Sequence, residues 1–220
     1  MGRLNDVGGL HEVTRLLAVR HGETAWNVDA RLQGQLDVGL NDQGRAQAQR
    51  LAEALADEGL EAIVSSDLSR AHDTAQAVAR RLGLPLVTDP GLRERHFGTF
   101  QGHTYAEVEQ RWPEASARWK RREADFGAPG GETLQGFYDR VVEAVTRIAS
   151  AHAGRHLLIV THGGVLDCLY RAASRIALDA PRTWELPNTG VNRLLHTPQG
   201  LSLVGWGCVQ HLQDTALDEL

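Results

Sequence analysis

Cysteine is scarce in this chain. Its 220 residues include two, Cys168 and Cys208, far apart and in no CxxC pattern. That argues against a disulfide framework, and reduced thiols in a cytoplasmic protein are the simplest reading. A long apolar run is also missing, so no membrane span is expected. Basic charge is not in excess. Lys+Arg 23 against Asp+Glu 28 gives a net charge of −5, which does not suit a nucleic-acid binder. The first residues, 1–13, are mixed and polar and lack the apolar stretch of a secretory signal. They begin Met1-Gly2, but Asp6 stands where an acylation pattern needs Ser or Thr. There is no internal repeat and no low-complexity tract. What remains is ordinary globular composition, 42% hydrophobic and 23% charged. The length fits a single domain, 1–220, that can bury one substantial core without disulfides or a structural metal. Histidine, by contrast, is plentiful at ten.

The patterning alternates strand and helix. Residues 1–12 read as a loose leader. Leu16-Leu17-Ala18-Val19 reads as a buried strand that stops at Arg20-His21-Gly22. A helix follows from Asn41, a plausible cap, to about Asp57, with Ala46, Leu51, Ala54 and Leu55 as its apolar stripe. Further strands are expected at 61–64, 84–87 and 156–160, with helices at 67–82, from 133 to about 152, and from about 163 to 174. Residues 191–197 and 201–209 suggest a closing hairpin. Residues 90–131 break the rhythm with glycines, prolines and two short helices, and read as an excursion from the core. The expected fold is therefore α/β: a three-layer α/β/α domain with a mostly parallel sheet, an antiparallel strand at its edge and a small cap over the strand ends.

In such sheets ligands bind at the carboxyl ends of the strands. Three of those ends carry polar residues. Arg20-His21 is either a surface pair in a loop or a phosphate site in which Arg20 offers a planar donor fork. Asn27 can add a neutral donor. Arg70 reads, on its own, as a solvated helical arginine. His162 is either a satisfied core histidine or part of an anion site, since Gly163-Gly164 after it clears space and opens a helix. Together they make an anion pocket in which one imidazole can be a nucleophile and the other groups can neutralise a phosphoryl group in flight. Glu94, in the excursion, could supply the proton for a leaving oxygen; a salt bridge to Arg93 or Arg95 is the plainer alternative.

Five segments in order carry a resemblance. They are Arg20-His21-Gly22-Glu23-Thr24 with Asn27; Ser65-Ser66-Asp67-Leu68-Ser69-Arg70-Ala71; Leu92-Arg93-Glu94 with Phe97-Gly98; Gly130-Gly131-Glu132-Thr133; and Val160-Thr161-His162-Gly163-Gly164. The chain resembles the histidine phosphatase superfamily, the phosphoglycerate mutase-like family. The resemblance implies His21 as the nucleophile that becomes phosphohistidine. It implies Arg20, Arg70 and His162 as phosphoryl ligands and Glu94 as general acid and then base. Asn27, Gln33, Gly34 and Gly163 are implied at the phosphate pocket. It implies a metal-independent phosphomonoesterase without cofactor, acting in the cytoplasm on a small phosphorylated substrate, as monomer or homodimer. The alternatives are a 2,3-bisphosphoglycerate-dependent mutase and a non-catalytic phosphate-binding or scaffold protein. Trp119-Lys120-Arg121-Arg122 resembles a mutase substrate contact, whereas the short stretch from Arg122 to Gly130 resembles the phosphatases. A solvated basic face is the favoured reading of Lys120-Arg121-Arg122.

Overall fold

The computed structural model describes residues 13–213, so the expected leader at 1–12 lies outside the described residues. Six strands form one sheet: β1 (Thr14–Arg20), β2 (Ala62–Ser65), β3 (Leu86–Thr88), β4 (His156–Thr161), β5 (Val191–Thr197) and β6 (Gly200–Cys208). Their order is β3-β2-β4-β1-β5-β6. The first four run parallel, and β5 and β6 close the sheet antiparallel at one edge. Seven α-helices accompany them among the described residues: α1 (Ala25–Val28), α2 (Asp42–Ala54), α3 (Ser69–Leu82), α4 (Tyr105–Arg111), α5 (Pro113–Lys120), α6 (Leu134–Ala151) and α7 (Gly163–Ser174). None is long and apolar enough to cross a membrane.

The apolar runs of β1 and β4 are explained by the layers on either side. Side chains alternate across a strand. Leu16, Ala18, Leu157 and Ile159 face α6 and α7, where Phe137, Val141, Val145, Ile148 and Leu166 meet them. Leu17, Val19, Leu158 and Val160 face α2 and α3, against Leu51, Leu55, Ala71, Ala75 and Val78. Both faces are covered, so the strands need apolar residues at every position. This is the expected three-layer arrangement.

One detail of α2 differs. Asn41 caps it as expected, its Oδ1 accepting from Gly44 N at 2.7 Å. Its buried stripe, however, is Gly44, Gln47, Ala48, Leu51 and Ala52, continued by Leu55. Ala46 and Ala54 are exposed. The helical period places 44, 47, 48, 51, 52 and 55 on one face, and 46 and 54 fall off it. Alanine is small enough to sit on either side.

Residues 90–131 carry two 3₁₀ turns, Pro90–Leu92 and Gly98–Phe100, and the helices α4 and α5. Phe100, Val108, Phe126 and Ala128 bury together with Leu32 in a cluster of their own, with Phe97, Trp112 and Trp119 packed against it. The two cysteines are free, Cys168 buried and Cys208 exposed.

The glycine after His21 is filled around by backbone and does not open space for a ligand. A Cβ on Gly22 would lie 2.5 Å from Gly44 O, and one on Gly44 would lie 2.1 Å from Glu23 O. The pair lets the first turn of α2 pack directly on the chain leaving β1. In an ordinary helix Gly→Ala is favourable by roughly 0.5–1 kcal/mol. Here the added methyl meets backbone that cannot swing away. Gly44→Ala should therefore destabilise the protein, by about 1–3 kcal/mol, in urea unfolding. A gain in stability would show that the contact is not tight.

Candidate active site

A cavity of about 760 Å³ lies at the carboxyl ends of the parallel strands. Eight of the nine expected site residues line it: Arg20, His21, Asn27, Gln33, Gly34, Arg70, Glu94 and Gly163. They come from the end of β1 and the residue after it, α1 and the loop that follows it, the first turn of α3, the excursion, and the first turn of α7. The ninth, His162, does not line the cavity. It is fully buried beside it, edge-on to His21 with ring centroids 5.2 Å apart.

His21 is 3% exposed. Its Nδ1 lies 2.7 Å from Gly22 O. A carbonyl can only accept, so Nδ1 carries the proton and Nε2 keeps its lone pair. Burial, and after it the charges of Arg70 and Arg20, hold this imidazole well below its ordinary value of 6.5; the Gly22 bond acts the other way. His162 is held down in the same way, by burial and then by Arg70. Its Nε2 is 2.8 Å from Ser66 Oγ. That hydroxyl also accepts from Leu68 N at 3.3 Å; with its own proton given to Nε2, the ring proton sits on Nδ1.

Arg70 is buried too, and Arg20 is half-buried. Arg70, with no exposed surface, donates through Nη1 to Leu36 O at 2.9 Å and through Nη2 to Gly34 O at 2.7 Å. Burial lowers it to about 10, with Glu94 and Asp37 opposing, so it stays charged at neutral pH. Arg20 donates through Nη1 to Leu186 O at 2.6 Å. The Nε of Arg20, the Nε of Arg70 and the Nδ1 of His162 are buried and have no partner among the described residues. Buried donors left unpaired are uncommon, and these three belong to the groups surrounding His21.

Glu94 is not tied up by its neighbours. Arg93 pairs with Asp67, through Nε at 2.7 Å and Nη2 at 2.6 Å. The Arg95 guanidinium donates to the carbonyls of Phe126 and Glu132. The Glu94 carboxylate instead accepts from Arg95 N at 2.8 Å and Gly164 N at 2.9 Å. The anion at the start of α7 is thus Glu94 itself, and a Cβ on Gly164 would lie 2.1 Å from its Oε1. Arg140 of α6 fixes the chain below. It donates to the carbonyls of Gly91, Arg93 and Glu94 while pairing with Glu132.

Asn27 is half committed. Its Oδ1 accepts from Thr24 N and Oγ1, at 3.0 and 3.1 Å, closing a capping box on α1. The basic run is not a uniformly solvated face. Lys120 pairs with Glu109 and Arg121 with Glu123 on the outside, but Arg122 reaches inward to Asp167 at 2.7 Å. Sequence reasoning missed Asn188, whose Nδ2 donates to His21 O at 2.8 Å, and Thr189, whose N–H donates to Arg20 O at 3.0 Å. Leu186-Pro187-Asn188-Thr189-Gly190 carries a turn signal, which marks a loop but not what it touches. Tyr105, Asp167 and Arg182 also line the cavity unforeseen.

Residues 16–209 match the family model of the histidine phosphatase superfamily, branch 1. The chain belongs to the histidine phosphatase superfamily. It is 42% identical over 208 residues to phosphoglycerate mutase-like protein 4 of Arabidopsis thaliana, covering 93% of this chain and 89% of the relative. It is 39% identical over 210 residues to the metal-independent phosphoserine phosphatase of the same plant, covering 94% and 87%. Among solved structures it is similar to YhfR of Bacillus stearothermophilus, with a TM-score of 0.85, 34% identity, and 91% and 100% of the two chains covered.

The histidine shifts of this superfamily member have a consequence for stability. His21 and His162 are neutral when folded, with values below the ordinary 6.5. Well above pH 6.5 both states are neutral and these groups add no pH dependence. As pH falls below 6.5, the unfolded chain gains protons that the folded chain refuses. Stability therefore drops with falling pH, down to the native values, with a slope approaching about 1.4 kcal/mol per pH unit for each ring. Urea melts between pH 5 and 8 should show the loss. Ring-nitrogen NMR should show His21 neutral, with its proton on Nδ1, at pH 6.5. A protonated His21 at that pH would contradict the assignment.

Proposed function

We propose that this chain is a metal-independent phosphomonoester phosphatase that works through a phosphohistidine on His21. The observation that carries the reading is the free Nε2 of a neutral, buried imidazole, set among three buried donors that lack partners. A phosphoryl group placed there would give Arg20 Nε, Arg70 Nε and His162 Nδ1 the acceptors they lack. Nε2 attacks phosphorus, the bond to the ester oxygen breaks, and Glu94 delivers its proton to the departing alkoxide. The Nδ1–H bond to Gly22 O supports the positive charge that develops on the ring. In the second step Glu94 takes a proton from water, which attacks phosphorus and releases phosphate. Asn27 and Gln33, and the backbone at Gly34 and Gly163, complete the pocket in this reading.

Two guanidiniums and an imidazole supply the charge stabilisation, in keeping with the resemblance to a phosphatase described as metal-independent. In this reading the chain is one domain, residues 90–131 are its cap, the substrate is a small phosphomonoester, and the site of action is the cytoplasm. The cap reading is supported by Glu94, which the excursion contributes to the cavity. A non-catalytic role is disfavoured, because all five implied catalytic groups are present and assembled. The mutase alternative draws on Lys120-Arg121-Arg122, and these three side chains are engaged in ion pairs with Glu109, Glu123 and Asp167.

Incubation with a ³²P-labelled phosphomonoester in EDTA, followed by quenching, should trap an acid-labile, base-stable adduct in the wild type and none in His21→Ala. An acid-stable adduct would point to a different nucleophile.

Glu94→Gln separates the acid role from a structural one. It should slow phosphoenzyme formation from an alkyl phosphate by about 100-fold or more, because a poor leaving group needs the proton. The same step with p-nitrophenyl phosphate should slow far less. Equal losses would mean that Glu94 only holds the cap to α7.

A further inference from the structure

Asp167 sits one helical turn beyond the point where Gly164 N–H holds the Glu94 carboxylate. Residues three apart on a helix share a face, with Cβ atoms about 5–6 Å apart, and both Gly164 and Asp167 line the cavity. The carboxylate of Asp167 is bound on one side only. Its Oδ2 accepts from Arg122 Nη2 at 2.7 Å and from Arg171 Nε at 3.0 Å. Its Oδ1 has no partner among the described residues, although Asp167 is 6% exposed. The geometry is not loose. Arg122 is pinned through Nε to Leu178 O at 2.6 Å, and Arg171 donates to Ala177 O at 2.5 Å and lies over the Trp184 ring.

We infer that Asp167 is a specificity-determining residue, whose free Oδ1 accepts a hydrogen bond from a hydroxyl on the alcohol portion of the substrate, close to the ester oxygen. The inference rests on the phosphatase reading above, which places the ester oxygen at Glu94. From there the next two or three atoms of the leaving group run along α7 towards Asp167. A buried acceptor without a donor is costly, and a substrate hydroxyl would satisfy it. The charge count selects hydroxyl over ammonium. One carboxylate faces two guanidiniums at Oδ2, which leaves the knot cationic, and Arg182 on the cavity wall adds to the same sign. A neutral donor fits that field and an ammonium does not. The substrate class is a phosphomonoester of a vicinal diol.

A matched series tests this: ethyl phosphate, 2-hydroxyethyl phosphate and 2-aminoethyl phosphate, with p-nitrophenyl phosphate as a control for chemistry. In the wild type, kcat/KM for the hydroxyethyl ester should exceed that for the ethyl ester on the order of 10-fold to 100-fold, and the aminoethyl ester should gain no such advantage. In Asp167→Asn, which keeps the shape and an oxygen for the arginines, the hydroxyethyl-to-ethyl ratio should fall to within about 3-fold. Circular dichroism and a urea melt check that this variant is folded; if it is not, the wild-type ratio decides alone. Calorimetric binding of the same esters to His21→Ala reads the preference without turnover. Hydrolysis of p-nitrophenyl phosphate with equal rates for the ethyl and hydroxyethyl esters would overturn the inference and leave the phosphatase reading intact. No hydrolysis of any ester would overturn that reading. In that case, selective binding of hydroxyethyl phosphate would still support the role of Asp167, and equal binding would end it.

Discussion

Arg20, half-buried, and Arg70, fully buried, bring two positive charges to one wall of the cavity. Burial lowers the proton affinity of both, and Arg20 lowers that of Arg70 further. Buried charges are expensive unless they are paired or well hydrogen-bonded. Here the carbonyls of Leu186, Leu36 and Gly34 take part of the load, and Glu94 supplies the opposing field. The same positive field and the same burial keep His21 and His162 neutral. A cationic floor with neutral imidazoles and unpaired donors is prepared for an anion before one arrives, which is the electrostatic arrangement that favours transfer of a charged group.

That field has to be delivered by elements far apart in the chain, and backbone contacts do it. The turn at 186–190 returns to hold the carbonyls of Arg20 and His21. Gly22 and Gly44 let α2 press on the same strand end. Gly164 lets the Glu94 carboxylate settle on the first turn of α7, and Arg140 ties down the carbonyls beneath it. The excursion is thus joined to the sheet through the residue proposed as the acid. A change in its small aromatic core would be felt at the chemistry, because the Glu94 carboxylate is held by the amides of Arg95 and Gly164 alone among the described residues' hydrogen bonds.

The cavity also divides by which hydrogen-bonding groups it leaves unpaired. Near His21 it is cationic and its donors are unsatisfied. Farther along α7 the carboxylate of Asp167 lies between Arg122 and Arg171 with an acceptor left over. Together these ends suit a ligand that carries an anion at one end and a hydrogen-bond donor at the other.

By itself the sequence determined the layer order, the parallel strands and the closing hairpin, because periodicity and turn residues report local geometry and burial directly. It also marked Arg20, His21 and His162, since an unusual polar residue at the end of an apolar strand stands out against its surroundings. For Arg70 and Glu94 local reading alone favoured the plainer role, a solvated arginine and a salt bridge, and only the order of the five segments set that aside. The tertiary structure decided the partners. It sent Arg93 to Asp67, freed Glu94 to reach α7, buried His162 edge-on to His21, and brought Asn188 and Asp167 to a site that nothing in their neighbouring residues announces. Hydrogen bonds between residues separated by scores of positions leave no periodic trace in the chain, so they become visible only when the sheet sets its strand ends side by side.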